Sequence, residues 1–108
     1  MSIEYVRSQD NLDNVFEESG DTPVILYFTA TWCQPCKMLS PVMESFAIKH
    51  EEKVNVVKID VDEVPELAQK YDVRGVPSLL VVDAGEVKVK MVGAKPLPGL
   101  EKEFADFL

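Results

Sequence analysis

Val24-Ile25-Leu26-Tyr27-Phe28-Thr29-Ala30-Thr31-Trp32-Cys33-Gln34-Pro35-Cys36-Lys37 decides the fold of this chain. Its first five residues form a continuous apolar run bounded by turn signals. Such a run reads as a strand buried on both faces, the pattern of a central parallel strand. From about Lys37 onward Met38, Leu39, Val42, Met43, Phe46 and Ala47 recur at helical spacing, so a helix follows the strand. Pro41 lies inside that helix and is expected to kink it, because proline lacks the N–H and crowds the preceding turn. Between strand and helix sit both cysteines of the chain and its one tryptophan. Two thiols three positions apart at a strand–helix junction are placed to exchange a disulfide.

Moving outward, Val54 to Val61 reads as a second buried strand. The long helix between the two makes them most simply a right-handed parallel βαβ pair. Ahead of them Ile3–Val6 forms a short strand. Ser8 caps a helix whose inner face is Leu12, Val15 and Phe16, and Gly20 ends it. Pro65–Tyr71 is a short helix with proline in its first turn, and residues 73–77 connect it to the next strand. Ser78–Val82 and Glu86–Val92 flank the turn Asp83-Ala84-Gly85 as a hairpin. The last strand alternates apolar and charged residues, so one face meets solvent. A helix from about Pro98, with Leu100, Phe104, Phe107 and Leu108 inward, closes the chain. The predicted architecture is α/β: a central mixed sheet with a parallel core, an antiparallel C-terminal hairpin and helices on both faces. The cysteines fall at the carboxyl end of a central parallel strand, where sites form in open α/β sheets.

Bulk properties narrow the function. The chain has 108 residues, enough for one domain over 1–108 and too few for two. With 46% hydrophobic and 28% charged residues it can build a core, unlike a disordered chain. The formal charge of −8 argues against a nucleic-acid surface, which needs clustered Lys and Arg. No apolar run approaches the roughly 20 residues that span a bilayer. Met1-Ser2-Ile3-Glu4 has neither the basic nor the apolar region of a signal peptide, so a cytoplasmic location is the expectation. In a reducing compartment a cysteine pair points to catalysis or metal binding. A Cys33–Cys36 bridge would close too small a loop to restrict the unfolded chain much. Zinc wants four ligands. The chain offers two cysteines and one histidine, His50, four helical turns away, and His50 reads as a solvated helix-end residue. No metal site is expected.

Taken together, Trp32-Cys33-x-Pro35-Cys36-Lys37, Pro41, Arg74-Gly75-Val76-Pro77, Gly85-Glu86 and Val92-Gly93-Ala94 closely resemble the thioredoxin family along nearly the whole chain. The resemblance implies the thioredoxin fold, a reversible Cys33–Cys36 disulfide, a cis peptide bond before Pro77 and no bound cofactor. It implies reduction of protein disulfides, with disulfide-containing proteins as substrates and a thioredoxin reductase as electron donor. Three positions depart from the family. Gln34 stands where glycine is usual, Tyr27 where a buried Asp lies beneath the second cysteine, and Thr29 where a further Trp is found.

On this reading Cys33 is the nucleophile. It lies at the helix start, where unpaired N–H groups and the helix dipole favour a thiolate, and Lys37 adds a positive charge. Cys36, one turn in, resolves the mixed disulfide. An ordinary phenol titrates near roughly 10, so Tyr27 cannot replace the acid. Asp60, or Lys58 with its charge disfavoured by burial, is the candidate for moving the proton of Cys36; both point to one face of their strand. Otherwise Asp60 caps the strand end and Tyr27 packs in the core. Trp32, Gln34, Pro35, Val76, Pro77, Gly93 and Ala94 form the candidate substrate rim. A redox-independent binding subunit is the alternative function, and a monomer is the expected state.

Overall fold

Alternation decides how the sheet is covered. In the computed structural model, which describes residues 3–108, every residue of the strand Val24–Thr29 is buried. Ile25 and Tyr27 pack on one side, against Leu39, Met43, Phe46, Leu100 and Phe104. Val24, Leu26 and Phe28 pack on the other, against Leu12, Val64 and Leu67. A strand with period two and no polar face must have a helical layer on each side.

The elements in chain order are β1 (Glu4–Tyr5), α1 (Gln9–Ser19), β2 (Val24–Thr29), α2 (Gln34–Lys49), β3 (Asn55–Asp60), α3 (Pro65–Lys70), β4 (Ser78–Asp83), β5 (Glu86–Val92) and α4 (Leu97–Glu103), followed by a 3₁₀ turn, Ala105–Phe107. The strand order is β1-β3-β2-β4-β5. β1, β3 and β2 are parallel, while β4 runs antiparallel to both β2 and β5. α2 and α4 cover one face, α1 and α3 the other. The predicted mixed sheet with a parallel core is therefore present. The reading of Met1 and Ser2 lies outside the described residues.

Local signals behave as their chemistry requires. The Ser8 hydroxyl accepts from the Asn11 backbone N–H at 3.0 Å, and Gly20 ends α1 at a φ of 57°. Two boundaries differ from expectation. β3 is one residue shorter at each end than the apolar run, because Val54 belongs to the turn that follows α2 and Val61 to the turn after Asp60. α2 starts at Gln34, not near Lys37. The missed turn contains Pro35, which suits the first turn of a helix because no N–H is needed there. α2 continues past Pro41, which is exposed and brings no N–H to the Lys37 carbonyl.

His50 requires a correction. Its side chain is only 15% exposed. The ring packs at a tilt against Phe46, 4.8 Å between centroids, and Nε2 lies 2.7 Å from Glu101 Oε2. The residue ends α2 as expected, but Glu101 of α4 and Phe46 cover most of its ring. Among the described residues no helix is long and apolar enough to cross a membrane.

Candidate active site

Cys33 and Cys36 are joined in a disulfide with their Cα atoms 5.2 Å apart. Cys33 is the N-cap of α2, in extended backbone, and its sulfur accepts from the Cys36 backbone N–H at 3.2 Å. Both are buried, at 4% and 2% exposure, against Ala30 and the half-buried Val61 and Val76. The bridge sits at the carboxyl end of β2 because only Ala30-Thr31-Trp32 separates that strand from the cap. The helix dipole and the unpaired first-turn N–H groups thus point at the Cys33 sulfur.

The loop before β4 closes over this sulfur. The Val76–Pro77 peptide is cis, and the Val76 carbonyl oxygen lies 3.7 Å from Cys33 Sγ. Pro77 is buried, and its carbonyl accepts from the Gly93 N–H at 2.9 Å. Gly93 adopts a φ of 100°, where a side chain is strained, so the turn leaving β5 favours glycine. Trp32 is 67% exposed, and its indole N–H donates to Asp62 Oδ2 at 2.7 Å. Gln34, Pro35 and Ala94 are exposed. Trp32, Val61, Val73, Arg74, Gly75 and Val76 line a groove of about 120 Å³. Ala94 lies in a second groove of about 280 Å³, shared with Met38, Leu39, Val42, Lys95 and Pro96.

Behind the bridge an open cleft of about 290 Å³ reaches Cys36, which lines it together with Tyr5, Tyr27, Thr29, Lys37, Lys58 and Asp60, among others. Tyr27, Lys58 and Tyr5 are register partners on three adjacent parallel strands, which puts them on one face of the sheet. The Lys58 ammonium lies 5.1 Å from the Tyr5 ring centroid and 5.8 Å from that of Tyr27, within cation–π range. Asp60 Oδ1 accepts from the backbone N–H groups of Asp62 and Glu63, at 2.8 and 3.3 Å, and so caps the turn after β3. Tyr27 packs in the core as read, at 1% exposure, and also donates its hydroxyl to the Cys36 carbonyl at 3.2 Å. Burial pushes its phenol above the ordinary 10; a hydrogen bond with Thr29 opposes the rise, and Tyr5 adds to it. Tyr27 is thus a neutral donor.

The fold brings Cys33, Cys36, Trp32, Val76, Pro77 and Gly93 together, with Lys58 and Asp60 behind them. Two contacts had no signal in the sequence. Nothing local pairs Asp62 with an indole 30 residues earlier, nor the Tyr27 hydroxyl with a carbonyl nine residues later. Among the described residues no group of three or more His, Cys, Asp or Glu side chains is arranged to hold a metal.

The family model for thioredoxin matches residues 4–106. The chain is 40% identical over 89 residues to a thioredoxin of Alicyclobacillus acidocaldarius, covering 82% of this chain and 85% of that one. It is 38% identical over 88 residues to the bifunctional thioredoxin reductase/thioredoxin of Mycobacterium leprae, covering 82% of this chain and 19% of that protein. In structure it resembles the germline-specific thioredoxin Deadhead of Drosophila melanogaster, with a TM-score of 0.90 and 31% identity over 98% of this chain and all of that one.

Proposed function

This chain belongs to the thioredoxin family and is a protein thiol–disulfide oxidoreductase that works through a redox-active disulfide, and on that premise we propose how its residues divide the reaction. Reduced Cys33 attacks a disulfide of a substrate protein and forms a mixed disulfide. Cys36 then attacks the Cys33 sulfur, which releases the second substrate thiol and restores the Cys33–Cys36 bridge. The observation that carries this assignment is the cap: Cys33 Sγ accepts the Cys36 N–H, so the helix start stabilises a negative sulfur at Cys33.

The substrate approaches the front of the bridge over Trp32, Gln34, Pro35, Val76, Pro77, Gly93 and Ala94. Support comes from the exposed indole and from the exposed Val92 beside Gly93. The proton of Cys36 leaves through the cleft behind, and Asp60, which lines that cleft, accepts it. Electrons arrive from a thioredoxin reductase. The Mycobacterium leprae protein, whose name joins a reductase to a thioredoxin, supports that class of donor. We read residues 1–108 as one domain acting as a cytoplasmic monomer in electron transport and redox homeostasis.

The test is trapping. Incubated with a disulfide-bonded protein, the Cys36→Ser variant accumulates a mixed disulfide at Cys33, identified by mass spectrometry, whereas Cys33→Ser accumulates none. Trapping through Cys36 instead reverses the two roles. Full cellular function of a chain with both cysteines changed to Ser makes it a redox-independent binding subunit.

A further inference from the structure

Two tyrosines in the cleft behind Cys36 are not used by the exchange described above. Tyr27 is fully buried on β2, beneath the first turns of α2. Its hydroxyl bond to the Cys36 carbonyl falls in a stretch of helix already short of one bond, because Pro41 brings no N–H to the Lys37 carbonyl. Tyr5 lies on β1 at the edge of the same cleft. Between the two rings is the Lys58 ammonium, held by cation–π contacts on both.

The charged and titratable groups around that ammonium come from four elements, with Tyr5 on β1, Tyr27 on β2, Asp60 on β3, and Cys36 and Lys37 on α2; the Arg7 guanidinium, just after β1, also lies on the Tyr5 ring, 4.9 Å from its centroid. Among the described residues no carboxylate lies within 4.0 Å of Lys58, and the Asp60 oxygen Oδ1 is bonded to backbone. Aromatic faces hold a cation without neutralising it. Tyr27, kept protonated by burial, adds no negative charge near the Cys36 sulfur.

We propose that Tyr27, together with Tyr5, is a positioning residue for the resolving step: its hydroxyl holds the Cys36 backbone, and the two rings hold the Lys58 ammonium as a fixed cation that favours the Cys36 thiolate. This rests on the division of roles given above. The Cys36 thiol first loses its proton to the cleft. Its thiolate attacks Cys33 Sγ, the Cys33–Cys36 bond forms, and the Cys33–substrate S–S bond breaks. The substrate sulfur departs with the electron pair and takes a proton from solvent.

The experiment follows both half-reactions in the full-length reduced chain. An aromatic disulfide whose released thiolate is coloured is added in equimolar amount. The first release reports attack by Cys33, and the second reports resolution by Cys36. Tyr27→Phe keeps the ring and removes the hydroxyl, and slows the second release about fivefold at its pH plateau, as expected for one lost hydrogen bond. Tyr5→Leu raises the apparent pKa of the second release. Lys58→Met raises it by roughly one unit, and Lys58→Arg restores it. A role confined to packing moves neither the plateau nor the apparent pKa once urea-unfolding midpoints are matched. Second-release profiles of Tyr27→Phe and Tyr5→Leu that superimpose on the parent overturn the proposal, whether or not Lys58→Met folds. A first release that persists in Cys33→Ser and is lost in Cys36→Ser overturns the assignment of Cys33 instead.

Discussion

The Cys33 sulfur lies 3.2 Å from the backbone N–H of Cys36, so one cysteine of the redox-active disulfide caps the helix that carries the other. One atom thus serves the helix start and the chemistry. The two roles separate by substitution. In reducing buffer both Cys33→Ser and Cys33→Ala abolish turnover. Serine can still cap, so Cys33→Ala is less stable than Cys33→Ser by about 1 kcal/mol in urea unfolding. Equal stabilities would mean that the cap contributes nothing to the fold.

Asp60 shares the cleft with Cys36 while Oδ1 accepts two backbone N–H groups. Asn in its place still offers an oxygen to those groups and cannot take a proton. Asp60→Asn therefore keeps the unfolding midpoint and slows the resolving step by roughly tenfold or more. The rate of coloured-thiolate release in the second phase measures this. An unchanged rate removes Asp60 from the proton path.

Trp32 is exposed, and Asp62 holds its indole. Losing that bond frees the ring to rotate on the rim without touching either sulfur. Asp62→Ala is expected to raise the KM for a disulfide-bonded protein about threefold, as for one hydrogen bond of modest net strength, with kcat unchanged. Asp62→Asn, which keeps an acceptor, restores the parent KM. A fall in kcat at constant KM would contradict a role in docking.

On the far side of the molecule Glu101 of α4 meets Lys49 and His50 at the end of α2, each at 2.7 Å. Hydrogen bonds from Lys49 and then His50 hold the Glu101 carboxyl below its ordinary 4.5. A carboxyl with a depressed folded pKa adds stability above its unfolded pKa, and loses it as the pH falls through the folded one. The parent is therefore expected to lose more stability than Glu101→Gln as the pH drops below about 4.5. Urea midpoints across an acid pH series measure this. Parallel curves throughout would show that the contact is not coupled to folding.

Short-range pattern was enough for most of the architecture. The apolar run of β2, the period of α2 and the Ser8 and Gly20 caps are each decided within a few residues, by side-chain burial and backbone hydrogen-bonding needs. The start of α2 was misread because sulfur is an unusual cap and the run Gln34-Pro35 carries no apolar period. His50 looked solvated because its cover, α4, lies some fifty residues further along.

The sequence by itself determined where the two thiols stand. Cys33 and Cys36 fall at a strand–helix junction, and together with Pro35, Pro41 and Pro77 they carry a resemblance to one family, which implies the disulfide chemistry. Only the tertiary structure decided what surrounds the Cys36 sulfur. Tyr5, Tyr27 and Lys58 come from three strands, and strand register alone puts them in one row beneath Cys36. Asp62 reaches Trp32, and the Val76 carbonyl reaches Cys33, only once the sheet has assembled. Such contacts depend on pairings between distant segments, and those are set by the packing of the whole core rather than by the preference of any one stretch.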